Sequence, residues 1–136
     1  MSGARHVFET EVFYEDTDMG GIVYHANYLK FIERARSGFV RGMGVDQLAL
    51  REAGTVFVVR RIAAEFLRPA RFEDRLRVET SVNAATGVRL VLAQSVLRED
   101  DCLFRAEVEL VAMSREGRPV RLPGGLARLA AGGSAD

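Results

Sequence analysis

Only one stretch of this chain repeats its apolar residues at helical spacing over several turns, and almost everything after it alternates with a period of two. From Asn27 to Arg41, the residues Tyr28, Phe31, Ile32, Ala35 and Phe39 recur at three- and four-residue steps, while Lys30, Glu33, Arg34 and Arg36 face elsewhere. Such a stripe marks an amphipathic helix that lays one face on a core. Asn27 is positioned to cap its start, and Gly42 and Gly44 to end it. A second, short helix is predicted from Asp46 to Ala53. The predicted strands are Val7 to Tyr14, then Val56 to Leu67, Arg75 to Asn83, Val88 to Leu97 and Leu103 to Met113. In the first of these Phe8, Val12 and Tyr14 are predicted to share a face. The joins Ala84 to Gly87 and Glu99 to Asp101 are short enough to imply antiparallel hairpins, so the last four strands are predicted to run as a meander. The plan is α+β: one curved five-stranded antiparallel sheet with a long helix laid across a single face.

Length and composition narrow what such a plan can do. At 136 residues with 48% hydrophobic side chains, the chain makes one domain with a real core. Nineteen basic residues balance nineteen acidic ones, so no overall field holds it to nucleic acid or to an anionic membrane. Cys102 is the single cysteine, which forbids an internal disulfide and a multi-cysteine zinc site; on the apolar face of its strand it reads as a small core residue. With only His6 and His25, a metal site built on histidine is not expected either. No window approaches the roughly 18 apolar residues of a membrane span, and no apolar run follows Met1 to His6, so a soluble, cytoplasmic protein is expected. The glycine- and alanine-rich tail from Gly124 to Asp136 is expected to fray, leaving residues 1–123 as the domain. A sheet covered by one helix keeps bare edges and a bare face, and the expectation is a homo-oligomer, at least a dimer.

The residues able to do chemistry gather in the loop that leads into the long helix: Asp16, Asp18, Tyr24, His25 and Asn27. There, unpaired backbone N–H groups and the positive end of the helix dipole face outward. Donors of that kind stabilise the oxyanion that develops in acyl transfer, and losing one typically costs about 10²–10³ in rate. A carboxylate beside them can attack a carbonyl or take a proton from water. Taken singly, Asp16 and Asp18 suit turn or capping roles, His25 a structural hydrogen bond, and Gly20-Gly21 a plain turn. No phosphate loop, dinucleotide fingerprint or serine elbow is present. Spacing alone leaves the function open.

The run from Tyr14 to Arg36, Tyr-Glu-Asp-Thr-Asp-Met-Gly-Gly-Ile-Val-Tyr-His-Ala-Asn-Tyr-Leu-Lys-Phe-Ile-Glu-Arg-Ala-Arg, resembles the N-terminal motif of hotdog-fold acyl-CoA thioesterases. It is most similar to the branch associated with the Tol-Pal cell-envelope system, related to the 4-hydroxybenzoyl-CoA thioesterases. Weaker echoes in Phe66 to Ala70, in Asp74 and in Gly117 to Pro123 extend the resemblance over nearly the whole chain up to the tail. It implies a sheet wrapped around one long central helix, dimers that pair into tetramers, and a site at the dimer interface that hydrolyses an acyl-CoA without metal or cofactor. By the same resemblance Asp18 is the catalytic carboxylate, as nucleophile or general base, and His25 assists by orienting the thioester or the water. The backbone N–H of Tyr24 serves the oxyanion hole, and Asp16 has a structural part in the loop. His25 favours aliphatic acyl groups over 4-hydroxybenzoyl, since the hydroxybenzoyl branch lacks a histidine there. Gly21 and Asn27 are assigned to substrate binding, with Phe57 and Val59, near Phe31, along the acyl chain. Arg60 and Arg61, with Arg68, Arg71 and Arg89, are assigned to the CoA phosphates. The donor is CoA or an acyl carrier protein. The alternative is a non-catalytic acyl-CoA or acyl carrier protein scaffold of the cell envelope, which has no need of Asp18. A hotdog hydratase, which carries proline between its Asp and His, fits Gly20-Gly21 poorly.

Overall fold

The computed structural model describes residues 5–130. The elements run β1 (His6–Glu11), α1 (Asn27–Gly42), α2 (Gln47–Glu52), β2 (Thr55–Phe66), β3 (Arg75–Ala85), β4 (Arg89–Arg98), β5 (Asp101–Ser114) and α3 (Gly124–Ala130). The strands form one antiparallel sheet in the order β1-β3-β4-β5-β2, and α1 packs on β1, β3 and β4 in the hotdog arrangement that the resemblance implies.

The helix forms where the apolar stripe predicts it. Tyr28, Phe31, Ile32, Ala35, Phe39 and Val40 are buried along one side of α1. They meet inward-facing residues of the sheet, including Leu76, Val78, Leu92, Val96, Phe104 and Val108. Beneath the helix a polar row pins it in place: the Gln94 amide donates to the Ile32 carbonyl and to the Thr80 hydroxyl, both at 2.9 Å, and accepts from Arg36 at 3.1 Å. Burial pulls the Arg36 guanidinium below its usual value. Asp46 caps α2, its carboxylate accepting from the backbone N–H groups of Leu48 and Ala49.

Four expectations change. Asn27 is not the cap of α1: Ala26 holds that position without a side-chain bond, and Asn27 lies in the first turn. The first strand ends at Glu11, because the chain turns into a 3₁₀ segment at Tyr14–Asp16 that leaves Tyr14 exposed while Val12 is buried. The four later strands are not a simple meander. Only β3, β4 and β5 are; β2 sits at the far edge, paired with β5 from Thr55↔Ser114 to Phe66↔Phe104. The stretch between β2 and β3, residues 67–74, is long enough to carry the chain across the sheet, which the two tight joins are not. Finally, the tail from Gly124 is helical to Ala130 and Leu126 is fully buried in the core; residues 131–136 lie outside the described residues. Close packing makes this helix dock, since the Gly125 N–H donates to the Met43 carbonyl at 2.9 Å, where a Cβ would lie 2.5 Å from that oxygen.

Candidate active site

The loop between β1 and α1 is built by backbone pairing on two sides. The Glu73 N–H donates to the Val12 carbonyl and the Val12 N–H to the Asp74 carbonyl, and the Val23 N–H donates to the Ala70 carbonyl, all at 2.9 Å. Asp74 holds the crossing segment in turn, its carboxylate accepting from the Arg71 N–H at 2.8 Å and from Arg98 at 2.7 Å. At the floor, the Tyr28 hydroxyl accepts from the Ala70 N–H at 3.0 Å. Burial pushes the Tyr28 phenol upward against that bond and the nearby Arg98 charge, so it stays neutral at physiological pH.

Within this frame the two aspartates part company. Asp16 is buried: its carboxylate accepts from the Phe13 N–H at 2.8 Å, and its carbonyl accepts from the Tyr24 N–H and from the Asn27 side chain, both at 2.9 Å. Asp16 and Asn27 therefore tie the start of α1 to the turn before it. Asp18 is exposed. One carboxylate oxygen accepts from the Gly20 N–H at 2.8 Å; the other has no partner among the described residues. Gly21, at φ +81°, closes the turn in a conformation that side chains resist.

The Tyr24 N–H is already paired, donating to the Asp16 carbonyl at 2.9 Å. The backbone N–H groups of His25 and Ala26 have no hydrogen-bond partner among the described residues, and they stand where α1 begins. The His25 ring is exposed, with centroids 4.7 Å from Tyr24 and 6.0 Å from Phe66. Phe66 continues into an aromatic cluster with Tyr28 and Phe104, whose rings stack 5.0 Å apart. The sequence reading missed this cluster as a wall of the site; the Phe66 to Ala70 echo was its one visible signal.

Among the described residues, none of the remaining predicted residues has a side-chain hydrogen bond or ion pair to Asp18. Phe57 and Val59 pair with Ala112 and Leu110, but on the edge strand beyond α1, where Val59 is exposed. Val59 also stands about 23 Å along β2 from Phe66. Arg60 is the bulged residue between Val59 and Arg61, and it pairs at 3.0 Å with Glu109, which also lies opposite Arg61. Glu109 and Glu107 alternate with the buried Val108 and Leu110, so Arg60 reaches the outer face. Arg89 shares Glu109 at 3.9 Å, and Arg68 is 4.0 Å from Asp101. Of these cations, Arg71 is beside the loop, bridged to Ile22 through the backbone.

Residues 12–129 match the model of the thioesterase-like superfamily, a span that includes most of α3. The chain is 41% identical over 103 residues to the acyl-CoA thioester hydrolase YbgC of Escherichia coli, covering 75% of this chain and 77% of that protein. It is 37% identical over 118 residues to the acyl-CoA thioesterase YbgC of Haemophilus influenzae, covering 85% and 87%. Among solved structures, a probable thioesterase from Bartonella henselae superposes with a TM-score of 0.84 at 39% identity, over 88% of this chain and all of that one. With the family match running over residues 12–129 and two relatives at 37% and 41% identity, this chain belongs to the thioesterase-like superfamily.

Proposed function

We propose that this protein hydrolyses acyl-CoA thioesters as a homo-oligomer, with Asp18 as its catalytic carboxylate. One observation carries the reading: Asp18 is held by the Gly20 N–H through a single oxygen, in the loop that leads to the unpartnered N–H groups of His25 and Ala26. The printed activities of the E. coli and H. influenzae relatives support the substrate class.

The thioester carbonyl oxygen accepts from the His25 and Ala26 N–H groups, which take the oxyanion role first assigned to Tyr24. Asp18 then acts in one of two ways. As nucleophile, its free oxygen bonds to the carbonyl carbon, the C–S bond breaks, CoA leaves as thiolate, and water cleaves the resulting anhydride. As general base, it takes a proton from the water that attacks the same carbon, and CoA again leaves as thiolate. The His25 imidazole orients the thioester or the water. The reading assigns aliphatic acyl groups, carried on CoA or an acyl carrier protein in the cytoplasm.

The missing wall comes from a second copy. β2 is a twelve-residue edge strand, with Val56, Val58, Val59, Ile62 and Phe66 all exposed. Antiparallel pairing of two such strands about a two-fold axis carries Phe57, Val59, Arg60 and Arg61 of one copy toward the Asp18 loop of the other. Acyl chain and CoA phosphates are then read by the partner's β2, and two such dimers form the tetramer.

The test is release of CoA thiol from a panel running from acetyl- to palmitoyl-CoA plus 4-hydroxybenzoyl-CoA, with an enzyme-only blank for Cys102. Wild type is expected to turn over an aliphatic member, and Asp18→Asn to lose at least about a hundredfold in kcat. A wild type that binds acyl-CoA but cleaves none, or an Asp18→Asn variant of full activity, replaces this reading with the scaffold alternative.

A further inference from the structure

A groove of about 620 Å³ lies between β1 and the second half of α1, well away from Asp18. It is within the size range of small-ligand sites. Two arginines line it, Arg34 and Arg41, both exposed and neither in an ion pair among the described residues. They stand one turn before and one turn after Gly38, so all three share a helix face. Gly38 presents no side chain there, and the His6 ring occupies the space: a Cβ on Gly38 would lie 3.0 Å from His6 Cε1 and 3.1 Å from Nε2. The ring is further fixed by an edge contact to Phe39 at 6.4 Å.

His6 is otherwise unexplained. Its Nδ1 is sealed from solvent and has no hydrogen-bond partner among the described residues, an arrangement that proteins rarely tolerate without reason. The single acid of the lining, Glu9, alternates to the opposite face of β1 from His6 and Phe8. What faces the helix side of the groove is therefore two unspent arginines and an imidazole. Among the described residues β1 pairs with β3 alone, so its other edge adds backbone N–H groups with no neighbouring strand there.

We propose that this groove binds a phosphorylated small molecule, its phosphoryl oxygens taken by Arg34 and Arg41 converging over Gly38, against the His6 ring. Guanidinium forks match phosphate oxygens in geometry as well as charge. The phosphoryl group comes either from a free metabolite or from the nucleotide end of CoA. The free-metabolite source is independent of the thioesterase reading, since the groove shares no residue with the Asp18 loop; the CoA source rests on that reading and would move the CoA phosphates from the partner's β2 to this groove.

With only two histidines in the chain, imidazole resonances report directly which site is filled. The full chain is titrated with sodium pyrophosphate at constant ionic strength. Saturable shifts of the His6 ring signals with His25 unmoved are expected, and the double variant Arg34→Gln/Arg41→Gln should bind at least tenfold more weakly while its His25 signals stay in place. A second arm adds CoA: displacement of pyrophosphate at His6 assigns the phosphoryl group to CoA, and coexistence assigns it to a separate metabolite. Pyrophosphate that moves neither histidine, that moves His25 alone, or that binds the double variant as tightly as wild type overturns the proposal.

Discussion

Asp16 and Asp18 stand two residues apart in environments that predict opposite phenotypes. Asp16→Ala strips the Phe13 N–H of its acceptor while keeping the carbonyl that holds Tyr24 and Asn27, so it should cost about 1–3 kcal/mol in stability, read from the urea midpoint. Asp18→Asn removes a charge from an exposed turn and should leave that midpoint nearly unchanged while abolishing turnover. Tyr24 offers the complementary control: its N–H is committed to Asp16 and its phenol is half exposed, so Tyr24→Phe should lose less than about threefold in kcat. Tyr28 ties the floor of the site to stability at high pH. Its phenol ionises later in the folded state than in the unfolded chain, so its contribution is complete below about pH 10 and falls as pH rises beyond it. Unfolding followed from pH 9 upward should show that decline, and Tyr28→Phe should flatten it. The same variant should lose about 1–3 kcal/mol at pH 7, because the buried Ala70 N–H is left without an acceptor.

At the scale of elements, α3 carries the clearest prediction. Leu126→Ala should destabilise the protein by about 2–5 kcal/mol, visible as a lowered melting temperature, because a fully buried leucine leaves a cavity behind it. Composition hid this helix: glycine and alanine conceal the one residue, Leu126, that anchors it, and the two glycines that allow its close approach to Met43 and Val45 look like flexibility. The long helix and the hairpins at Ala84 to Gly87 and Glu99 to Asp101 were legible because their signals are local, a repeat of three or four residues and a join of a few. The place of β2 was not, since its register with β5 is set by pairs 38 to 59 residues apart. The candidate site was legible to the same degree. Its motif named Asp18 and His25, but which N–H at the helix start is free depends on Asp16 folding its carbonyl back onto Tyr24, a contact no spacing announces.

For the whole molecule, the question is how many chains make one site. If Asp18 of one copy works against Phe57 to Arg61 of another, then Asp18→Asn and Arg61→Glu variants, each inactive alone, should regain up to about a quarter of wild-type activity when refolded together, because half of the dimers are mixed and each keeps one intact site. Absence of any recovery, with mixed dimers shown by sedimentation and mass, would place the whole site within one chain. The far-edge position of β2 also sets the order of events as the chain emerges from the ribosome. Thr55–Phe66 is made well before Asp101–Ser114, its one neighbour in the sheet among the described residues, so the strand waits unpaired until the last strand is synthesised. Closing that gap last makes β2 pairing a slow step, and Val56, Val58, Val59, Ile62 and Phe66, which stay exposed even in the folded sheet, are open to misassociation while it waits.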